Sequence, residues 1–180
     1  EMESPTVHWR VNAERGPQSR LRDAVLAAIS AQVNLGGFVV KLPVTGRLTL
    51  ARPDARWLQV APADDPLLGD GHSVVVTARP AHIAVLTADG RVCLVAHQAG
   101  AYASDYVQAC AGEAGQGNAV DWVWAVQPDG RVQRFGVAPW SLTPQNELAP
   151  GAWLWAPARS AGVADSTSDN LARWLATQLP

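Results

Sequence analysis

The chain has 180 residues, 48% of them hydrophobic, and a formal net charge of −2. That length can bury a sizeable core as one domain or as two small ones sharing an interface, and the near-neutral balance leaves no basic stripe for the phosphates of a nucleic acid, which excludes that partner. The longest apolar runs, such as Asp23–Ile29 and Ser73–Val76, fall far short of the ~20 residues of a membrane-spanning helix, so no transmembrane segment is expected.

The opening residues Glu1 to Pro5 are polar and hold no signal-peptide apolar core, so a targeting segment is expected to have been cut away or never to have existed. Helical spacing of Leu21, Val25, Ala28 and Ile29 predicts a helix over Arg20–Ala31, with Ser19 as a cap and Asn34 as a stop. From Phe38 to Pro157 the punctuation is that of β-structure. Strands are predicted at Phe38–Leu42, Arg47–Leu50, Ser73–Thr77, His82–Thr87, Arg91–His97, Asp121–Gln127, Arg131–Ala138 and Ala152–Ala156.

Asp89-Gly90 and Asp129-Gly130 each stand between apolar runs and predict two-residue hairpin loops, since both residue types tolerate positive φ. Between these hairpins Tyr102, Tyr106, Val107 and Cys110 share a helical face, which predicts a helix over Tyr102–Ala111. The resulting order of hairpin, helix, hairpin and final strand is the wiring of a β-grasp unit, whose helix packs across one sheet face. Residues 43–80 look like the later half of a similar unit, with a tight turn at Leu67–His72 entering the β-branched strand. The reading is therefore α+β: two tandem β-grasp-like units, over 1–80 with the helix 20–31 inserted and over 81–158, then a linker and C-terminal amphipathic helix over 159–180. In that last segment Ala158–Asp165 is small and polar. Asp169–Leu179 carries Leu171, Trp174, Leu175 and Leu179 on one stripe, with Ser166, Thr167 or Ser168 as candidate caps.

Cys93 and Cys110 read as free core thiols, a ligand pair or a disulfide. Their separation matches no metal knuckle and no clustered histidines supply further ligands, so a disulfide is favoured, and with it an oxidising compartment. Placed on the second strand and on the last turn of the helix, the pair would pin helix to sheet.

Val44-Thr45-Gly46-Arg47, Asp65-Pro66-Leu67 to Arg79-Pro80, Gln127-Pro128-Asp129-Gly130-Arg131-Val132, Gly136-Val137-Ala138-Pro139-Trp140, Pro150-Gly151-Ala152-Trp153-Leu154-Trp155 and the terminal helix, in this order, resemble the GfcC-like (YjbG-like) capsule-biosynthesis proteins. The resemblance runs from about Lys41 to the end. It implies a periplasmic protein of two β-grasp domains, similar to the soluble sugar-export (SLBB-type) domains of outer-membrane polysaccharide exporters, with no catalytic activity and no cofactor. Its partners would be outer-membrane polysaccharide-export components, or the polysaccharide itself. It also implies that Arg47, at the arginine of the Val-Thr-Gly-Arg motif, lines a cavity. Two departures are that the first helical insertion is short here and that the family need not contain the cysteine pair.

Enzyme signatures are absent: His8, His72, His82 and His97 are dispersed, and neither Gly-x-Ser-x-Gly nor a phosphate loop occurs. Asp64, Asp65 and Asp70 lack the spacing of a calcium loop and read as a solvated turn, with His72 a surface residue beside it. Arg47 reads either as an exposed or salt-bridged strand residue or as a binder of carboxylates or hydroxyls, for which its planar fork is suited. Tryptophan is the excess residue, with eight. Trp122 and Trp124 share one strand face, as do Trp153 and Trp155. The four either pack beneath a helix or form a platform for sugar rings or a partner. Likewise the stripe Leu171, Trp174, Leu175 and Leu179 either packs on the second unit or docks in a partner's groove. The functional expectation is a non-enzymatic periplasmic accessory of capsule or exopolysaccharide secretion; the alternative is a carbohydrate-binding module, and a polysaccharide-modifying enzyme ranks third.

Overall fold

The structure, a computed structural model, describes residues 6–11, 15–44, 46–49, 55–62, 73–78, 80–111, 119–144 and 147–178. The turn predicted at Leu67–His72, the aspartates Asp64, Asp65 and Asp70, and Leu179 lie outside the described residues. The protein is α+β, with two sheets among the described residues. Strands β1 (Thr6–Val11), β2 (Gly46–Thr49) and β3 (Ser73–Thr77) form an antiparallel sheet in the order β2-β1-β3.

The second sheet contains β4 (His82–Thr87), β5 (Val92–Ala96), β6 (Trp122–Val126), β7 (Val132–Gly136) and β8 (Trp153–Ala156) in the order β5-β4-β8-β6-β7. Neighbouring pairs are antiparallel except β4 and β8, which run parallel at the centre. This is the predicted succession of hairpin, helix, hairpin and strand. Both hairpin loops are one residue longer than expected. The N–H of Thr87 donates to the carbonyl of Arg91, and that of Gln127 to Arg131, leaving three residues in each loop. The last of the three is glycine at φ 76° and 84°, the left-handed residue that ends such a turn.

Period-two alternation divides the sheet into two apolar faces. Ile83, Val85, Val123, Ala125, Leu154 and Ala156 face helix α4 (Ala103–Ala111) through Ala103, Tyr106 and Cys110. The tyrosine hydroxyl donates to the carbonyl of Gln98 at 3.1 Å and accepts from its N–H at 3.0 Å, which fixes the loop entering the helix. A disulfide joins Cys93 on β5 to Cys110 in the last turn of α4, with Cα atoms 5.7 Å apart. It closes a loop with a sequence separation of 17, so replacing both cysteines by alanine should cost about 3 kcal/mol. The change is read as a lower urea midpoint at an unchanged slope; an unmoved midpoint would show that the bridge adds nothing to stability.

The opposite face, with Ala84, Leu86, Trp124, Val126, Trp153 and Trp155, is covered by three helices. These are α1 (Arg15–Ala28), α2 (Val33–Lys41) and α5 (Asp165–Leu175); a further short helix, α3, spans Ala55–Val60. The first predicted helix thus starts earlier than Arg20, because Pro17 is tolerated in a first turn. It packs on α5 and the five-stranded sheet.

Phe38–Leu42 corrects the sequence reading most clearly: the predicted strand is the second half of α2. Its β-branched residues and the glycines Gly36 and Gly37 give poor helix propensity, each glycine costing roughly 1 kcal/mol against alanine. Tertiary packing decides the outcome. Leu35 and Val39, one helical turn apart, are fully buried, and Phe38 meets Trp153 edge-on at 6.1 Å. The turn glycine Gly90 lies so close to α2 that an added Cβ would come 2.6 Å from the backbone of Asn34.

The C-terminal helix also begins earlier than Asp169. Its N-cap is Ala164, without a side-chain cap bond, so the expected cap from Ser166, Thr167 or Ser168 is not made. Thr167 and Ser168 are buried inside the first turn instead. The predicted linker contains a 3₁₀ turn, Arg159–Ala161, anchored by the Arg159 N–H on the carbonyl of Ala119.

Candidate functional site

An open cleft of about 170 Å³ lies where the start of β6 meets the chain running from β8 into α5. Asp121, Trp122, Trp124, Arg159, Val163 and Asp165 are among its lining residues. Alternation on β6 turns Trp122 and Trp124 to the same side. Trp124 lies under α5 and is 2% exposed; Trp122, beyond the helix, is 38% exposed.

Hairpin pairing sets Arg134 directly opposite Trp124. Its guanidinium lies over both indoles, 4.4 Å from the Trp122 ring centre and 4.9 Å from that of Trp124, within cation–π range. Arg134 Nη2 also meets Asp165 Oδ2, in the first turn of α5, at 2.8 Å. Trp124 Nε1 donates to Asp169 Oδ1 at 2.6 Å, one turn further along the helix. A carboxylate near a helix N-terminus is favourable, so one end of α5 holds both the arginine and the indole.

A second arginine mirrors the first. Arg159 donates through Nε to Asp121 Oδ2 at 2.8 Å and through Nη2 to Oδ1, a two-pronged pair. Donating these hydrogen bonds to the Asp121 carboxylate raises the guanidinium above its ordinary pKa. Its other side meets Trp140, 5.3 Å from the ring centre, which is 70% exposed. The loop carrying Trp140 folds tightly onto β7: a Cβ on Gly136 would fall 1.7 Å from the Ser141 carbonyl oxygen, which no side chain permits. Thr143 Oγ1 accepts from the Gly136 N–H at 2.9 Å, and Ser141 Oγ donates to the Asp121 carbonyl at 3.0 Å, so the loop is fastened to the cleft's own strand.

Of the four tryptophans weighed as a platform, only Trp122 is accessible. Trp153 and Trp155 are 5% and 0% exposed beneath α1, α2 and α5. A sugar ring cannot stack on them, and their role is packing. The stripe on α5 is likewise internal: Leu171, Trp174 and Leu175 are all fully buried in the same core, which leaves no side of them for a partner. Arg47 stands on β2 opposite Arg10 of β1, and its side chain lies outside what the structure describes. Asp121, Arg134, Arg159 and Asp165 were not singled out in the sequence; Trp140 appeared only within a longer motif. Among the described residues no three His, Cys, Asp or Glu side chains gather as a metal site, and no helix is long and apolar enough to cross a membrane.

Sheet, disulfide and cleft together define an α+β protein with an aromatic-walled groove edged by two arginine–carboxylate pairs. The family described as capsule biosynthesis GfcC C-terminal matches residues 91–180, from the turn entering β5 through α5 and beyond, and the chain belongs to that family. No curated protein matches the chain.

Proposed function

We propose that the protein is a non-enzymatic, periplasmic accessory of capsule or exopolysaccharide secretion, which contacts polysaccharide at the Trp122 cleft and works beside outer-membrane export components. The five-stranded sheet is read as a β-grasp unit, since its last strand enters parallel to the first between two hairpins. The first half of the chain is its tandem counterpart. Membership of the capsule family supports the pathway, and the disulfide fits an oxidising compartment. The observation that carries the binding role is the pair of accessible indoles, Trp122 and Trp140, each against an arginine already held by a carboxylate. Indole faces take the apolar side of a sugar ring, and the ion pairs offer donors and acceptors for its hydroxyls. Arg47, where the family resemblance places a cavity-lining arginine, is a second position for substitution.

The test is genetic and biochemical. Deleting the gene in its source bacterium should remove or reduce surface polysaccharide. The wild-type gene should restore it, and a gene carrying Trp122→Ala with Trp140→Ala should not, at equal protein level. Full restoration by the double variant would reject the cleft. Shortening of purified polysaccharide by the protein would reject the non-enzymatic reading.

A further inference from the structure

Resting on the reading that this chain contacts polysaccharide, we infer that the cleft selects an uncharged sugar residue with adjacent hydroxyls rather than an acidic one. Arginine at a carbohydrate site ordinarily suggests a uronate or another anionic substituent, because a free guanidinium pairs with carboxylate. Here neither arginine is free. Asp121 occupies the fork of Arg159 with two bonds, and Asp165 meets Arg134 at 2.8 Å. Asp169 adds a third carboxylate, on the indole nitrogen of Trp124. Across these groups the carboxylates outnumber the guanidinium ions by one. A sugar carboxylate entering the cleft would stand among like charges, or would have to displace Asp121 from a two-pronged pair.

Neutral hydroxyls suit the same arrangement. Each can donate to a carboxylate oxygen and accept from a guanidinium N–H, and two adjacent hydroxyls can bridge an arginine–aspartate pair without breaking it. Trp122 supplies the apolar wall for the C–H face of the ring. Gly162, at φ 62° with no atom within 4 Å of an added Cβ, leaves the neighbouring wall bare and the cleft open to a chain that continues past the bound residue.

The experiment uses the whole chain and the surface polysaccharide of its source bacterium in two forms, one bearing carboxylates, introduced by oxidation of primary alcohols where the polysaccharide has none, and one with all carboxyl groups reduced to alcohols. Tryptophan fluorescence follows binding. The two forms should bind within about twofold of each other, and raising salt from ~0.05 to ~0.5 M should leave both titrations unchanged, since no net ionic attraction is being screened. Trp122→Ala should weaken both about tenfold. Asp121→Asn frees Arg159, so this variant should prefer the carboxylate-bearing form. Loss of binding on carboxyl reduction, or steep weakening by salt, would overturn the neutral-sugar inference while leaving polysaccharide binding intact. Unchanged binding by a folded Trp122→Ala protein would remove the cleft as the site. Binding of neither form would bring down the polysaccharide reading itself, and this inference with it.

Discussion

Ending the chain at Asp165 should abolish the cooperative thermal transition of the five-stranded sheet. The removed helix carries Leu171, Ala172, Trp174 and Leu175, all at 0% exposure, against Trp124, Trp155 and the apolar side of α1. Truncating one buried tryptophan or leucine to alanine costs about 2–5 kcal/mol, and domains of this size hold only about 5–15 kcal/mol in total. Deleting three such side chains, Leu171, Trp174 and Leu175, exceeds what the rest can supply. Loss of α5 beyond its first residue also strips Asp169 from Trp124 and leaves Asp165 without the helix that holds it against Arg134, so the cleft goes with the core. Circular dichroism against temperature is the measurement. A truncated chain melting at the full-length temperature would show that α5 only rests on the surface.

Trp155→Ala should cost about 3–5 kcal/mol, the most of any single substitution considered. Trp155 is fully buried on β8, the strand between both hairpins, paired with Leu86 on one side and Trp124 on the other. A cavity there would open in the core that the covering helices share with the sheet, against α5 directly. Trp155→Phe should lose only a fraction as much. The Trp155 indole N–H is buried with no hydrogen-bond partner among the described residues, and a stranded donor costs about 1–3 kcal/mol that phenylalanine does not incur. Urea denaturation of the two variants is the measurement; a loss for Trp155→Phe as large as that for Trp155→Ala would show that neither the retained ring nor removal of the stranded donor recovers stability.

The second half of the chain was legible because its elements announce themselves locally. Asp89-Gly90 and Asp129-Gly130 mark the hairpins, and the spacing of Tyr106 and Cys110 marks both the helix and the disulfide that tethers it. The cleft was not legible, and the cause is a one-residue register. A two-residue loop at Asp129-Gly130 would set Phe135 opposite Trp124; the three-residue loop sets Arg134 there instead. One residue of slip exchanges the two faces of a strand, so the arginine that lies on Trp122 and Trp124 was hidden by a turn type. Phe38–Leu42 failed differently. Its local preference is for strand, and only burial of Leu35 and Val39 against tryptophans more than 80 positions away makes it helical. The stripe on α5 was correctly seen as amphipathic, but amphipathicity alone does not say whose core it fills.

Parallel pairing of β4 with β8 also sets a timetable for folding. Each hairpin closes over three residues and can form within microseconds, yet neither touches the other directly: β8 lies between them. Register partners Ala84 and Trp153 stand at opposite ends of the unit, so the sheet is joined only after a long, entropically costly closure, the step that makes non-local β topologies slow. A chain emerging N-terminus first therefore holds two half-sheets with open inner edges until its last strand arrives. During that interval the bridge between Cys93 and Cys110, both upstream of β6, can already close and hold α4 on the first half-sheet.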